Sequence, residues 1–131
     1  MSSNDKSLRS PLAHARGLGS AKYGTEHWWQ QRLTAIALIP LTLWFVIGVI
    51  SHLGADHAAM VAWMKSPFSA TMMVLFVAVG IYHAAEGMQV VIEDYVHVEW
   101  QKLAGIIVVK LVLYALAAAS IISVLKLTFG A

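Results

Sequence analysis

The stretch Ile81–His97, IYHAAEGMQVVIEDYVH, decides how the chain is read. It sets His83, Glu86 and Gly87 inside an apolar run and ends in Asp94-Tyr95, where that run meets polar residues. Carried back to Phe68, the run is long enough to cross a bilayer as a helix. At 3.6 residues per turn, His83, Gly87 and Asp94 fall on nearly one line of that helix. From His83 to Asp94 the helix rises roughly 16 Å, about half of the hydrocarbon core. One face therefore carries an imidazole deep in the membrane and a carboxylate at the surface above it. That arrangement calls for a reason.

Working outward, two further apolar runs flank this one. The expected spans are residues 33–53, 68–92 and 103–127, an all-α integral membrane protein of three transmembrane helices. Pro40 lies inside the first span, where neighbouring helices can accommodate it with a kink. Residues 54–67 and 93–102 read as short loops. Before the first span, residues 1–31 form a polar arm whose end, His27-Trp28-Trp29-Gln30-Gln31-Arg32, has the aromatic and cationic character of a membrane interface. The division is thus an N-terminal arm over 1–31 and a three-span anchor domain over 32–131. No apolar core follows the start closely, so the arm is not a cleavable secretory signal.

Composition agrees. Of 131 residues, 59% are hydrophobic and 12% charged, against roughly 25% charged in a soluble domain. A net charge of +2, with interspersed acids, gives no footprint for nucleic acid. The absence of cysteine excludes disulfides, thiol catalysis and cysteine-ligated iron–sulfur clusters from this chain. Lys6, Arg9, Arg16, Lys22 and Arg32 lie in or against the arm, whereas the first loop has Lys65 and the tail region Lys126. The positive-inside rule then places the N-terminus in the cytoplasm and, after three spans, the C-terminus in the periplasm.

Each polar residue admits a plain reading and a sharper one. His83 either hydrogen-bonds a neighbouring helix or serves as an axial ligand to haem iron. Gly80 and Gly87 on either side leave room for a flat ring, or for close helix packing. No other histidine here is expected at the depth of His83, so a second ligand would come from a partner chain, and three helices make a thin bundle. The sequence argues for a heteromer. Asp94 and Tyr95 read as interfacial anchors, or as one side of a quinone headgroup site, with a hydroxyl donor beside a proton-carrying carboxylate. Glu86 is expected to be paired or to face protein, with a proton relay as the alternative. Lys110 either snorkels to the surface or pairs with Glu86 or a haem propionate. Arg32 is a topogenic charge or an anion contact.

These residues resemble a known family. His83-x10-Asp94-Tyr95, with Gly87 between and Gln89-Val90 before the acid, is similar to the second helix of the cytochrome b small membrane anchor of succinate dehydrogenase (complex II). Arg32-Leu33-Thr34-Ala35 resembles the Arg-x-Thr-Ala that starts its first helix, and Gly19-Ser20-Ala21 with His27-Trp28-Trp29-x-Gln31-Arg32 looks like its alphaproteobacterial branch. The resemblance implies a subunit of succinate:quinone oxidoreductase in the bacterial inner membrane, serving the respiratory chain and the tricarboxylic acid cycle. It implies that His83 ligates haem b jointly with a large cytochrome b anchor subunit, that Arg32 lies near the haem propionates, and that Asp94 and Tyr95 border the ubiquinone site. The implied partners are that large anchor, an iron–sulfur subunit and a flavoprotein subunit, besides membrane lipid. No catalytic residue is expected in this chain itself. Two other classes remain open on sequence grounds: a cofactor-free scaffold or assembly subunit, and a small proton or ion transport subunit working through Glu86 and Lys110.

Overall fold

In the computed structural model, which describes residues 10–17 and 22–130, every regular element is a helix. A single-turn helix α1 spans Pro11–Ala15, followed by α2 at Lys22–Ser51, α3 at His57–Lys65, α4 at Pro67–Tyr95 and α5 at Glu99–Phe129. Three of them are long and apolar enough to cross a membrane: Gly24–Ser51, Pro67–Tyr95 and Glu99–Phe129. The all-α, three-span membrane architecture expected from the sequence is the one observed. Residues 1–9, a large part of the arm, and the Gly19-Ser20-Ala21 motif lie outside the described residues.

The helices outrun the expected spans. α2 begins at Lys22, so His27, Trp28, Trp29 and Arg32 belong to its first turns instead of preceding the span. It runs unbroken through Pro40. The second loop shrinks to Val96, His97 and Val98, because α4 continues through Asp94-Tyr95 and α5 starts at Glu99. The first loop, expected to be irregular, contains α3. Asp56 caps it by accepting from the Ala59 backbone N–H at 2.8 Å, and the run His57-Ala58-Ala59-Met60 then supplies residues that tolerate a helix. Ser66 ends α3 and, by accepting from the Ser69 N–H, caps α4, with Pro67 at its first position.

α4 is the middle of the arrangement. It packs antiparallel against α2 on one side and α5 on the other, while α2 and α5 do not pack on each other among the described residues. Phe45 stacks on Phe76 at 4.7 Å to join α2 to α4. At the α3 end, Trp63 lies against Trp44 and stacks on His52 with ring centroids 4.7 Å apart. Gly48 makes that packing possible, since a Cβ there would sit 2.5 Å from Trp63 Cζ2. Such a layer encloses little. Only Leu41, Ala70, Ala85 and Val124 are buried apolar residues, with Ser69 and Glu86 the buried polar ones, among the described residues. Leu33, Ile36, Ile39, Leu43, Ile47 and Ile50 instead form an exposed apolar stripe along α2. In a bilayer, small residues at helix contacts and large apolar ones outside are the expected distribution.

Candidate functional site

The ends of α2 and α4 nearest the 96–98 turn hold most of the interhelical polar contacts. On α2, His27, Gln30, Gln31 and Thr34 are spaced i, i+3, i+4 and i+7, a single stripe on one helix face. On α4 the facing residues are Tyr82, His83 and Glu86. The Tyr82 hydroxyl donates to Gln30 Oε1 at 2.7 Å. Thr34 Oγ1 lies 2.9 Å from His83 Nδ1, and Gln31 Nε2 donates to the His83 carbonyl at 3.4 Å. His83 is thus held by ring and backbone from the neighbouring helix.

Glu86 is the most buried charged residue among those described, with 6% of its surface exposed. Lys110 Nζ on α5 donates to its Oε1 at 2.6 Å, one of the alternatives open to both residues on sequence grounds. Its Oε2 lies 2.9 Å from His27 Nε2 on α2. That approach falls outside hydrogen-bond geometry and leaves His27 Nε2 buried without a hydrogen-bond partner among the described residues. The contact is therefore electrostatic, and present to the extent that the imidazole is protonated. One carboxylate on the middle helix so reaches both outer helices.

Between α2 and α4 at this end lies an open groove of ≈ 660 Å³, bordered by His83, Gly87, His27, Gln31, Arg32 and Trp28 among others. His83 and Arg32, on different helices and far apart in the sequence, share it. The Arg32 guanidinium lies 5.4 Å above the Trp28 ring, a cation–π contact that fixes it at the groove's rim. The two glycines divide the roles that the sequence left open for both. Gly87 borders the groove, where a Cβ would meet only Gln31 Nε2 at 3.6 Å, whereas Gly80 faces Leu38 at 3.8 Å and serves packing. His27 also borders the groove, two turns nearer the start of α2 than Thr34, which faces His83. The long α2, beginning before the Trp pair, brings His27 level with Glu86.

Asp94 and Tyr95 close α4 at the same end, with the tyrosine about 18 Å along the helix from His83. Both are exposed, Tyr95 at 80%, and neither side chain has a hydrogen-bond partner among the described residues. The structure therefore does not gather them with His83; it sets them apart on one helix. His52 and His57 lie at the opposite end, His52 with Nδ1 2.8 Å from the Gly48 carbonyl. No group of three or more His, Asp or Glu side chains suited to a bare metal ion occurs among the described residues.

The donor set of the groove suits a haem. It offers one imidazole, one guanidinium at the rim for carboxylates, and a missing side chain one turn from the imidazole. Sequence reasoning does not single out Thr34, Gln31, Gln30 and His27 as partners of His83, Tyr82 or Glu86. The i, i+3, i+4, i+7 polar stripe at the start of an apolar helix is the signal that could find them.

The sequence is similar to those of a set of known proteins. The family model described as succinate dehydrogenase/fumarate reductase transmembrane subunit matches residues 6–117. The chain is 36% identical over 104 residues to the succinate dehydrogenase hydrophobic membrane anchor subunit of Rickettsia bellii, covering 79% of this chain and 83% of that one. It is 35% identical over 122 residues to the subunit of the same name from Paracoccus denitrificans, covering 93% and 94%. The succinate dehydrogenase membrane anchor subunit of Reclinomonas americana is 33% identical over 95 residues, covering 70% and 78%. No solved structure gives a significant match. With three membrane-crossing helices and a family match over most of its length, the chain belongs to the succinate dehydrogenase/fumarate reductase transmembrane subunit family, as a hydrophobic membrane anchor.

Proposed function

We propose that this anchor supplies one axial ligand of a haem b, His83, and one wall of the ubiquinone site, Asp94-Tyr95, within a succinate:quinone oxidoreductase. The observation that carries the reading is the convergence of His83, Arg32 and Gly87 on one groove. The groove is open, which would leave room for a large cytochrome b anchor subunit to furnish a second ligand. Bound there, the haem would supply a one-electron redox centre. The chain's own part is to hold the imidazole, to place Arg32 where it can neutralise a carboxylate, and to keep the site among apolar helices.

Ubiquinone reduction takes up two electrons and two protons. The Tyr95 O–H would donate to a quinone carbonyl at the membrane edge, and the Asp94 carboxyl beside it would carry a proton in from water. Electrons would come from an iron–sulfur subunit, itself supplied by a flavoprotein that oxidises succinate; both would dock on the side bearing Asp94. With the N-terminus cytoplasmic and the C-terminus periplasmic, that side faces the cytoplasm of a bacterial inner membrane. The Glu86–Lys110 pair speaks for this reading over an ion-transport subunit, because each charge is engaged by the other.

A dithionite-reduced minus oxidised optical spectrum of the detergent-purified complex tests the proposal, for wild type and His83→Ala. A b-type α-band in the first, lost in the second, is the expected outcome. No band in the wild type would leave a scaffold or assembly subunit. A band unchanged in the variant would put the ligand elsewhere.

A further inference from the structure

We infer that Thr34 is a positioning residue that locks His83 as the Nδ1–H tautomer and thereby presents Nε2 to the groove. The inference rests on the reading of His83 as a haem ligand and adds the group that orients it. Thr34 has a single hydroxyl proton. Its Oγ1 stands 2.7 Å from the Gln30 carbonyl and 3.2 Å from the Gln31 carbonyl, both of which can only accept. If the hydroxyl proton pointed instead at His83 Nδ1, two oxygen acceptors would face each other at 2.7 Å with no proton between them. The proton therefore goes to the Gln30 carbonyl, the usual bond of a helical threonine to its preceding turn. The contact of 2.9 Å to His83 must then be a donation from Nδ1–H to the hydroxyl oxygen. Neutral imidazole has one protonated nitrogen, so the lone pair lies on Nε2. That nitrogen has no hydrogen-bond partner among the described residues, and His83 borders the groove.

The backbone is fixed from the same helix. Gln31 Nε2 reaches the His83 carbonyl, so α2 holds this residue by two side chains one turn apart. Ligating histidines as a rule donate their second N–H to a fixed acceptor, which sets ring orientation and raises ligand basicity. Here the acceptor is a neutral hydroxyl that is itself oriented by a helix carbonyl, and no carboxylate takes that place: Glu86, the nearest acid along α4, is turned to Lys110 and His27. Losing the hydroxyl would free the ring to turn about its side-chain bonds and make the imidazole a weaker donor to ferric iron.

The test uses the intact complex carrying Thr34→Val, which keeps the shape and removes the hydroxyl, and Thr34→Ser, which keeps the hydroxyl. In the valine variant, haem retention in detergent is expected to weaken about 10- to 100-fold. Its ferric low-spin electron paramagnetic resonance line should broaden or split as the ring loses its single orientation. The ferric-to-ferrous ratio at fixed applied potential should fall up to about tenfold, which for one electron is about 59 mV upward in midpoint. Serine should restore the wild-type line and midpoint. A valine variant with the wild-type line, midpoint and haem content overturns the inference. If hydroxyl-free variants, Thr34→Ala included, fail to assemble while serine assembles, Thr34 is a folding residue and the positioning role is likewise overturned. A wild-type complex without haem would instead defeat the reading of His83 itself, which the His83→Ala spectrum identifies separately.

Discussion

Replacing Lys110 by methionine removes one charge from the contact at 2.6 Å with Glu86 while keeping the length of the side chain. The partners' side chains are 27% and 9% exposed, so neither charge is fully hydrated. At 2.6 Å and an effective dielectric near 20, their attraction is about 6 kcal/mol. Desolvation costs several kcal/mol per ion, so the intact pair adds little net stability. The single substitution is different, because it leaves the buried carboxylate with only His27 beside it, and up to about 3–5 kcal/mol of destabilisation is expected. Replacing both, as Glu86→Leu with Lys110→Met, should bring stability back to within about 1 kcal/mol of wild type, since apolar side chains of similar volume fill the gap. Dodecyl sulfate-induced unfolding of the purified complex with wild type, Lys110→Met, Glu86→Leu and the double variant, followed by tryptophan fluorescence, gives the coupling between the residues. A single variant losing less than about 1 kcal/mol, together with a double variant equal to the sum of the singles, would refute the pairing.

Three further outcomes follow from the same structure. Tyr95→Phe should lower ubiquinone reductase turnover about five- to tenfold, the worth of one hydrogen bond of about 1 kcal/mol, while leaving the haem spectrum intact; an unchanged rate removes the tyrosine from the quinone site. Gly48→Ala should cost about 1–3 kcal/mol in the unfolding assay, because its Cβ would stand 2.5 Å from the Trp63 ring and force the ring off its stack on His52. Gly87→Ala should be tolerated, its Cβ meeting Gln31 at an ordinary 3.6 Å, whereas Gly87→Leu should reduce haem content without loss of assembly; equal haem in both would mean that Gly87 does not border the ring.

The long apolar runs make the three spans legible, because burying backbone in lipid leaves a helix as the one solution for a short segment. Their ends are less so. Charged and aromatic residues such as Lys102 and Trp28 mark where the membrane stops, and a helix can continue past that point, as α2 and α5 both do. The helix α3 escapes a sequence reading although Asp56 announces it, since a run so short, mixing small and large side chains, reads equally well as a loop. The Glu86–Lys110 pair is within reach: each stands twelve residues from Val98 in antiparallel helices, so a tight turn there brings them level. The α2–α4 contacts are not, because α3 intervenes and leaves the register between those helices unspecified. Thr34 therefore stands in a motif without its partner, and His27 reads as too near the surface to meet Glu86.

The three-residue turn between α4 and α5 also bears on how the chain enters the membrane. A lone lysine at the centre of a span raises the free energy of insertion by about 2.5–3.5 kcal/mol. Val96, His97 and Val98 hold α4 and α5 as a tight hairpin in which Glu86 and Lys110 stand level. Paired, the two can lie within the apolar layer as a neutral couple, so α5 need not carry an isolated charge there.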